Sequence, residues 1–427
     1  MSTLLQAACV VKKTNPWTRD NTIWMLGLYG TAVGAGTLFL PITAGMGGFW
    51  PLVFMAVLAL PMTFFAHRAL CRFVFSGAAK EGDLTEVAEE HFNLAWGKII
   101  TWLYFFAIYP ILLLYSVAIT NTVQSFIVNQ LGRQAPPRAL TAILLILLLI
   151  TAVYFGERIT VKVMSLLVYP FVVSLILLAL YLIPYWNPAF FTQAGSLSHA
   201  LGTSAFYKTL WLSIPVMVFA FNHSPIISSF AVHEKNKGEK QAEQNASRVL
   251  LRSHLMMVFS VLFFVFSCVF SLSPADLAQA KLQNVSILSY LANHFHVPLI
   301  EWLAPLIAFL AIFKSFLGHY LGAREGFNGI MIKRLRKQGK KIERHTLNKI
   351  TAVFMVLTTW LVATLNPSIL GMIEMLCGPV IALLLFVMPV YAVYKVPAMK
   401  RYMNDRSNGF VFVMGMIALS AILYGLC

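Results

Sequence analysis

Residues 218–230 read VFAFNHSPIISSF, with Asn222, His223, Ser224 and Pro225 in a row between two apolar runs. In an apolar setting each of these groups costs free energy unless it is paired. Pro225 has no amide hydrogen and biases Ser224 away from helical geometry, so carbonyls near Phe221 lose their usual partners. A second interruption lies in TIWMLGLYGTAVGAGTLFLP, where Gly27, Gly30, Gly34 and Gly36 alternate with Thr31 and Thr37. Such glycines either let helices pack closely or mark an unwound stretch whose freed amides and carbonyls line a site. A helix starting after Gly34, Ala35 and Gly36 offers free amides and a positive dipole end, which suits a carboxylate. Unwound carbonyls around Thr31 and Phe221 suit an ammonium. The side chains of Asn222, His223, Ser224 and Tyr109 could then read a polar side chain, so the chemistry is that of holding a small zwitterion.

Few ionisable groups interrupt the apolar runs. Lys314, in IAFLAIFKSFLGHYLGAR, lies about thirteen residues from Glu301 and ten from Arg324. A buried ammonium is costly and at that depth cannot reach either end of the run, which points to function. Ser315 and His319, four residues apart, share a helical face with each other; functional and simple helix-pairing readings both stand. Glu374, in ILGMIEMLCGPVIALLLF, is a gate, a proton carrier or a partner to another polar group. Lys314 is expected to couple proton binding to transport, with Ser315, His319 and Glu374 as further candidates. The alternative is a Lys314 that stays charged and only holds two helices together.

The elements that must position these residues follow from hydropathy. Of 427 residues, 59% are hydrophobic and 11% charged, and the mean hydropathy is +0.75, outside the usual range of soluble domains. The chain reads as an all-α integral membrane protein with about eleven spans, near residues 22–41, 49–70, 98–128, 139–155, 160–184, 208–231, 249–273, 298–322, 350–364, 367–394 and 409–426. Residues 1–20, with LLQAACVV too short to span, read as a cytoplasmic tail.

The net charge of +16 does not imply nucleic acid, because the basic residues alternate between successive loops. With the N-terminus inside, 27 of the 32 Lys and Arg fall in cytoplasmic segments, which predicts N-in and C-out. Five cysteines without paired spacing give no disulfide framework and no metal site. No catalytic motif, nucleotide-binding loop or soluble domain is visible, and no cofactor is implied. Gradient-driven transport remains, with lipid as the surrounding partner and no oligomeric state specified. A channel is the rival of another class, and lacks the expected ring of like charges or filter repeat.

Both breaks arrive near the midplane. Gly34 lies roughly 18 Å from one end of its span and Asn222 roughly 21 Å from the opposite end of its own, at helical rise. They open two successive sets of five spans, residues 21–184 and 185–394, followed by a loop and last span over 395–427. That order is the pattern of inverted-repeat carriers with discontinuous helices.

The stretches WMLGLYGTAVGAGTLFLP, LYFFAIYPILLLYSVAITNTV, IPVMVFAFNHSPIISSFAV, KSFLGHYLGAREGFNG and TLNPSILGMIE closely resemble the hydroxy and aromatic amino acid permeases, and within them bacterial proton-coupled serine transporters. The resemblance implies a LeuT-like 5+5 core plus one helix in a bacterial inner membrane, importing L-serine by proton symport. Threonine/serine and aromatic preferences are the alternatives. It also implies that Lys314 occupies the region between the first and eighth spans where LeuT-like folds can hold sodium.

Overall fold

The computed structural model describes residues 16–92, 94–154, 157–188, 190 and 195–426. The expected cytoplasmic tail lies largely outside them, as do Cys9 and Cys427. Among the described residues the regular structure is entirely helical, as it must be where lipid offers the backbone no hydrogen bonds.

The first expected span is two helices, α1 (Arg19–Ala32) and α2 (Ala35–Met46), bent by 52°. Then come α3 (Phe49–Phe75), α4 (Leu84–His91), α5 (Leu94–Asn129), α6 (Arg138–Tyr154), α7 (Glu157–Tyr181) and the short α8 (Leu197–Leu201). The sixth span is again a pair, α9 (Ser204–Ala220) and α10 (Ser224–Lys235), bent by 47°. The chain continues with α11 (Glu239–Ser271), α12 (Pro274–Leu282), α13 (Ile287–His294), α14 (Pro298–Lys337) and α15 (Arg344–Leu365). It closes with α16 (Ile369–Lys395) and α17 (Ser407–Leu426). Seven of these helices are long and apolar enough to cross a membrane, nine spans if each bent pair counts once. The shorter apolar helices α6 and α17 fall where two further spans were expected.

Burial is arranged for lipid. Leu166, Phe259, Val57 and Leu144 are 60% exposed or more, whereas Thr31, Asn222, His223, Lys314 and Ser315 are almost fully buried. These polar groups therefore face the middle of an otherwise apolar bundle, while its outside is also apolar, as lipid requires. The long α14 runs along α5 and touches α1, α2, α7 and α10, so it lines both broken spans.

Short connecting helices and local bulges went unforeseen. α4 starts in a capping box, with Asp83 accepting from the amides of Thr85 and Glu86 and Glu86 reaching back to the Asp83 amide. α12 begins in another, built by Ser273 and Asp276. α16 contains two π-helical turns, Ile373–Cys377 and Leu383–Val387, the first of them bearing Glu374.

Candidate functional site between two broken spans

At the first break the chain leaves helical geometry at Val33 and Gly34 and restarts at Ala35, the Leu38 amide closing onto the Gly34 carbonyl at 3.2 Å. This leaves Ala35, Gly36 and Thr37 in the first turn of α2, at its positive end. The carbonyls of the α1 end are held from α14. Lys314 Nζ donates to the carbonyl of Val33 and, at 3.4 Å, to that of Gly30. The same ammonium lies 4.0 Å from the Phe171 ring and 5.7 Å from that of Tyr29. Ser315 Oγ bonds the Thr31 carbonyl and, at 2.8 Å, pairs with the Tyr115 hydroxyl. The Thr31 hydroxyl itself donates to Gly27 at 3.0 Å.

At the second break the Phe221 amide still reaches the Met217 carbonyl at 3.1 Å, and α10 restarts at Ser224 with Pro225 in its first turn. Between them the amides are held by side chains: His223 N–H donates to His67 Nε2 at 3.1 Å and Ser224 N–H to Asn222 Oδ1 at 3.1 Å. Five buried side-chain atoms of the breaks lack a hydrogen-bond partner: Thr37 Oγ1, Asn222 Nδ2, both ring nitrogens of His223, and Ser224 Oγ. Buried polar atoms are normally paired, so such a cluster marks where a polar ligand can complete the bonding.

The two breaks touch. A Cβ on Gly36 would lie 2.7 Å from Ala220 Cα and as close to the Phe219 ring. One on Gly34 would meet Ser315 and, at 3.0 Å, the Tyr115 hydroxyl. Only glycine lets the backbones approach this closely.

Thr31, Gly34, Ala35, Gly36, Thr37, Phe221, Asn222, His223 and Ser224 are thus brought together, with Lys314 and Ser315 behind them. Tyr109 is not placed with them. It stacks on Phe105 at 4.7 Å and on Phe354 of α15 at 5.5 Å, and Tyr115 is the α5 tyrosine that reaches the first break. His319 bonds the Ser315 carbonyl through Nδ1 at 2.9 Å and meets Tyr115 edge-on. Glu374 sits apart, 3.5 Å from Lys281 of α12, both side chains partly exposed.

Residues that sequence reasoning missed include Tyr115, His67 and His254, the two histidines sitting where apolar runs meet basic residues, His67 before Arg68 and His254 after Arg252 and Ser253. Also missed was a network at the basic ends of the broken spans. Asp20 bonds His233 at 2.6 Å and Lys237 at 2.5 Å. Lys237 also pairs with Glu234 at 2.8 Å, and Asn245 joins Glu234 to Asn21. Beside this network a cavity of about 530 Å³ opens between α4, α10, α14 and α15, lined by Asp83, Glu86, Ser228, Arg324, Asn328 and Arg344.

Comparison with known proteins agrees with this architecture. The chain is 64% identical over 411 residues to the serine transporter SdaC of Escherichia coli (strain K12), covering 96% of each chain. It is 63% identical over 411 residues to that of Shigella flexneri. A solved structure, that of MhsT in complex with L-phenylalanine, superposes with a TM-score of 0.58 at 17% identity over 97% of this chain and 99% of that one. This likeness places the chain in the LeuT-like fold. Residues 23–427 match the model of the tryptophan/tyrosine permease family, and the chain belongs to that family.

Proposed function

We propose that this permease carries L-serine across a bacterial inner membrane by proton symport, with the substrate held between the two breaks. The observation that carries the reading is the set of unpartnered buried atoms on Thr37, Asn222 and Ser224 at the two breaks, which meet where a Cβ on Gly36 would lie 2.7 Å from Ala220 Cα. The substrate carboxylate takes the α2 amides, its ammonium the carbonyls around Thr31 and Phe221, and its hydroxyl the Asn222 and Ser224 side chains. High identity to proteins named serine transporters supports serine over other amino acids. The N-terminus is cytoplasmic, which places the 530 Å³ cavity and the Asp20–Lys237 network on the inner side.

Lys314 takes a different part from the one first expected. Everything within reach of its ammonium is a carbonyl oxygen or an aromatic face, groups that complement a cation. In this reading it is a tethered cation that bridges α1 and α14, so transport needs no sodium. Uptake of labelled serine, threonine and tryptophan into proteoliposomes, with an imposed pH gradient and no sodium, tests the whole reading. Serine should accumulate ahead of the other two. Accumulation that requires sodium, or that favours tryptophan, overturns it.

A further inference from the structure

Three histidines from different parts of the fold meet behind the second break. His67 of α3, His223 between α9 and α10, and His254 of α11 are fully buried. Their ring centroids lie 3.8 Å apart for His67 and His223, 4.6 Å for His223 and His254, and 5.2 Å for His67 and His254. One nitrogen from each ring falls within 4.8 Å of the others.

Hydrogen bonds assign the protons. His67 Nδ1 lies 2.8 Å from the Thr63 carbonyl, so it carries hydrogen, and the lone pair on Nε2 accepts the His223 amide at 3.1 Å. His254 Nδ1 likewise donates to the Leu250 carbonyl at 2.7 Å. That leaves its Nε2, 3.4 Å from His67 Nδ1, as a basic lone pair. His223 has no partner at either ring nitrogen. The cluster therefore holds two lone pairs that can take a proton: that of His254 Nε2, approached only by His67 Nδ1 at 3.4 Å, and one on the unpartnered His223 ring.

Among the described residues the surroundings supply no carboxylate to the three rings. The titratable groups that act on His223 are His67 and His254, and the one that acts on His67 is His254. Farther along α3, Arg68 and Arg72 are engaged by Asp405 and Glu243. Cys71 is buried one turn beyond His67, and from α1 the Tyr29 hydroxyl is paired with Ser260 of α11 at 2.8 Å. Three imidazoles at ring contact accept one positive charge; a second would face the first at a few ångströms.

The geometry points to His67, His223 and His254 as the site that binds the transported proton, shared between His223 and His254, with His67 as the positioning residue that reports it to the bend of the sixth span. This rests on the proton-symport reading above and names the carrier of the proton. The coupling is a hydrogen-bond conflict. A proton on His254 Nε2 sets two donors face to face across the 3.4 Å to His67 Nδ1; His67 relieves this by moving its own hydrogen from Nδ1 to Nε2, so the His223 amide loses its acceptor and the backbone at the break must change. Proton release restores the bond. Because Asn222 and Ser224 flank His223, the same movement reshapes the contacts to the substrate.

The experiment uses full-length wild type, His254→Gln and His67→Gln in proteoliposomes. In the last, the amide oxygen can still accept from the His223 backbone but cannot titrate. Serine/serine exchange needs no net proton movement and should survive in both variants with a flattened pH profile. Accumulation driven by a pH gradient should fall by about tenfold or more. Undiminished gradient-driven accumulation with the wild-type pH profile in both variants overturns the proposal. A substrate-free measurement stands beside it: ¹⁵N NMR of histidine-labelled protein from about pH 5 to pH 8 should show a titrating imidazole that His254→Gln removes. No such imidazole, or stoichiometric zinc or copper that co-purifies and is lost in His254→Gln, equally overturns it. Failure of wild type to exchange serine would refute the substrate assignment, and the NMR titration would still decide the histidine site.

Discussion

Replacing Lys314 by alanine separates a tethered cation from a merely well-packed side chain. Its ammonium bonds the Val33 carbonyl, reaches the Gly30 carbonyl at 3.4 Å and lies 4.0 Å from the Phe171 ring. Each buried carbonyl left unpaired costs about 1–3 kcal/mol, and the lost contact with the ring about 2 kcal/mol. Against this, the variant no longer buries a charge, which offsets several kcal/mol. Net destabilisation alone is therefore a weak discriminator. The ionic response is a strong one. Truncation opens space beside oxygen atoms that suit a hard monovalent cation, and sodium at ten times its Kd would return about 1.4 kcal/mol. Thermal unfolding of wild type, Lys314→Ala and Lys314→Met is measured in sodium chloride and in choline chloride at equal ionic strength. Wild type should be indifferent to the salt, Lys314→Ala should unfold earlier in choline and be partly restored by sodium, and Lys314→Met, whose side chain fills the space, should not be restored. Equal unfolding of Lys314→Ala in both salts, or sodium stabilisation of wild type, refutes the reasoning.

Ser224→Ala should weaken serine more than alanine by about 1–3 kcal/mol, roughly 5- to 150-fold, because the hydroxyl of bound serine loses its buried partner; equal losses for the two ligands would make Ser224 a support of the bend. Between the last loop and α17, burial tends to raise the pKa of Asp405, but hydrogen bonds from Arg72 and Ser407 and the nearby Arg68 outweigh it and hold the carboxyl down to about 2. Its folded value lies below the ordinary 3.8, so its stabilisation is present above about pH 4 and disappears as the pH falls towards 2. The difference in unfolding temperature between wild type and Asp405→Asn should therefore close over that window; an unchanged gap at about pH 2 would contradict it.

How much of this was readable from the chain depends on the range of the interaction. The two breaks were legible because their cause is local: Pro225 removes a donor, Gly34 releases the backbone, and polar side chains adjoin both. The depth of Lys314 was legible too, but the oxygen atoms it meets belong to residues 281 and 284 positions away. Tyr109 and Tyr115 are both tyrosines of α5, six residues apart, and no local rule ranks them; the rotation of α5 against α14 and α15 brings Tyr115 to Ser315 and Tyr109 to Phe354. His67 and His254 are separated by 187 positions, so each alone reads as ordinary polar glue between helices. Only the bend of the sixth span, which inserts His223 between them, makes a cluster.

The two readings of the glycines, close packing and unwinding, turn out to describe one arrangement. A Cβ on Gly318 would fall within 3 Å of Thr31, one on Gly322 within 3 Å of Pro225, and one on Gly378 within 3 Å of Pro215. Glycines of the intact spans α14 and α16 thus let those helices close onto the broken ones. That approach brings Lys314 and Ser315 to the carbonyls that unwinding frees at Gly30, Thr31 and Val33. Without it those carbonyls would stand unpaired in an apolar interior, at about 1–3 kcal/mol each. The break in α1 therefore depends on the smoothness of α14, and a transport cycle that bends the first span must carry α14 with it or exchange those bonds.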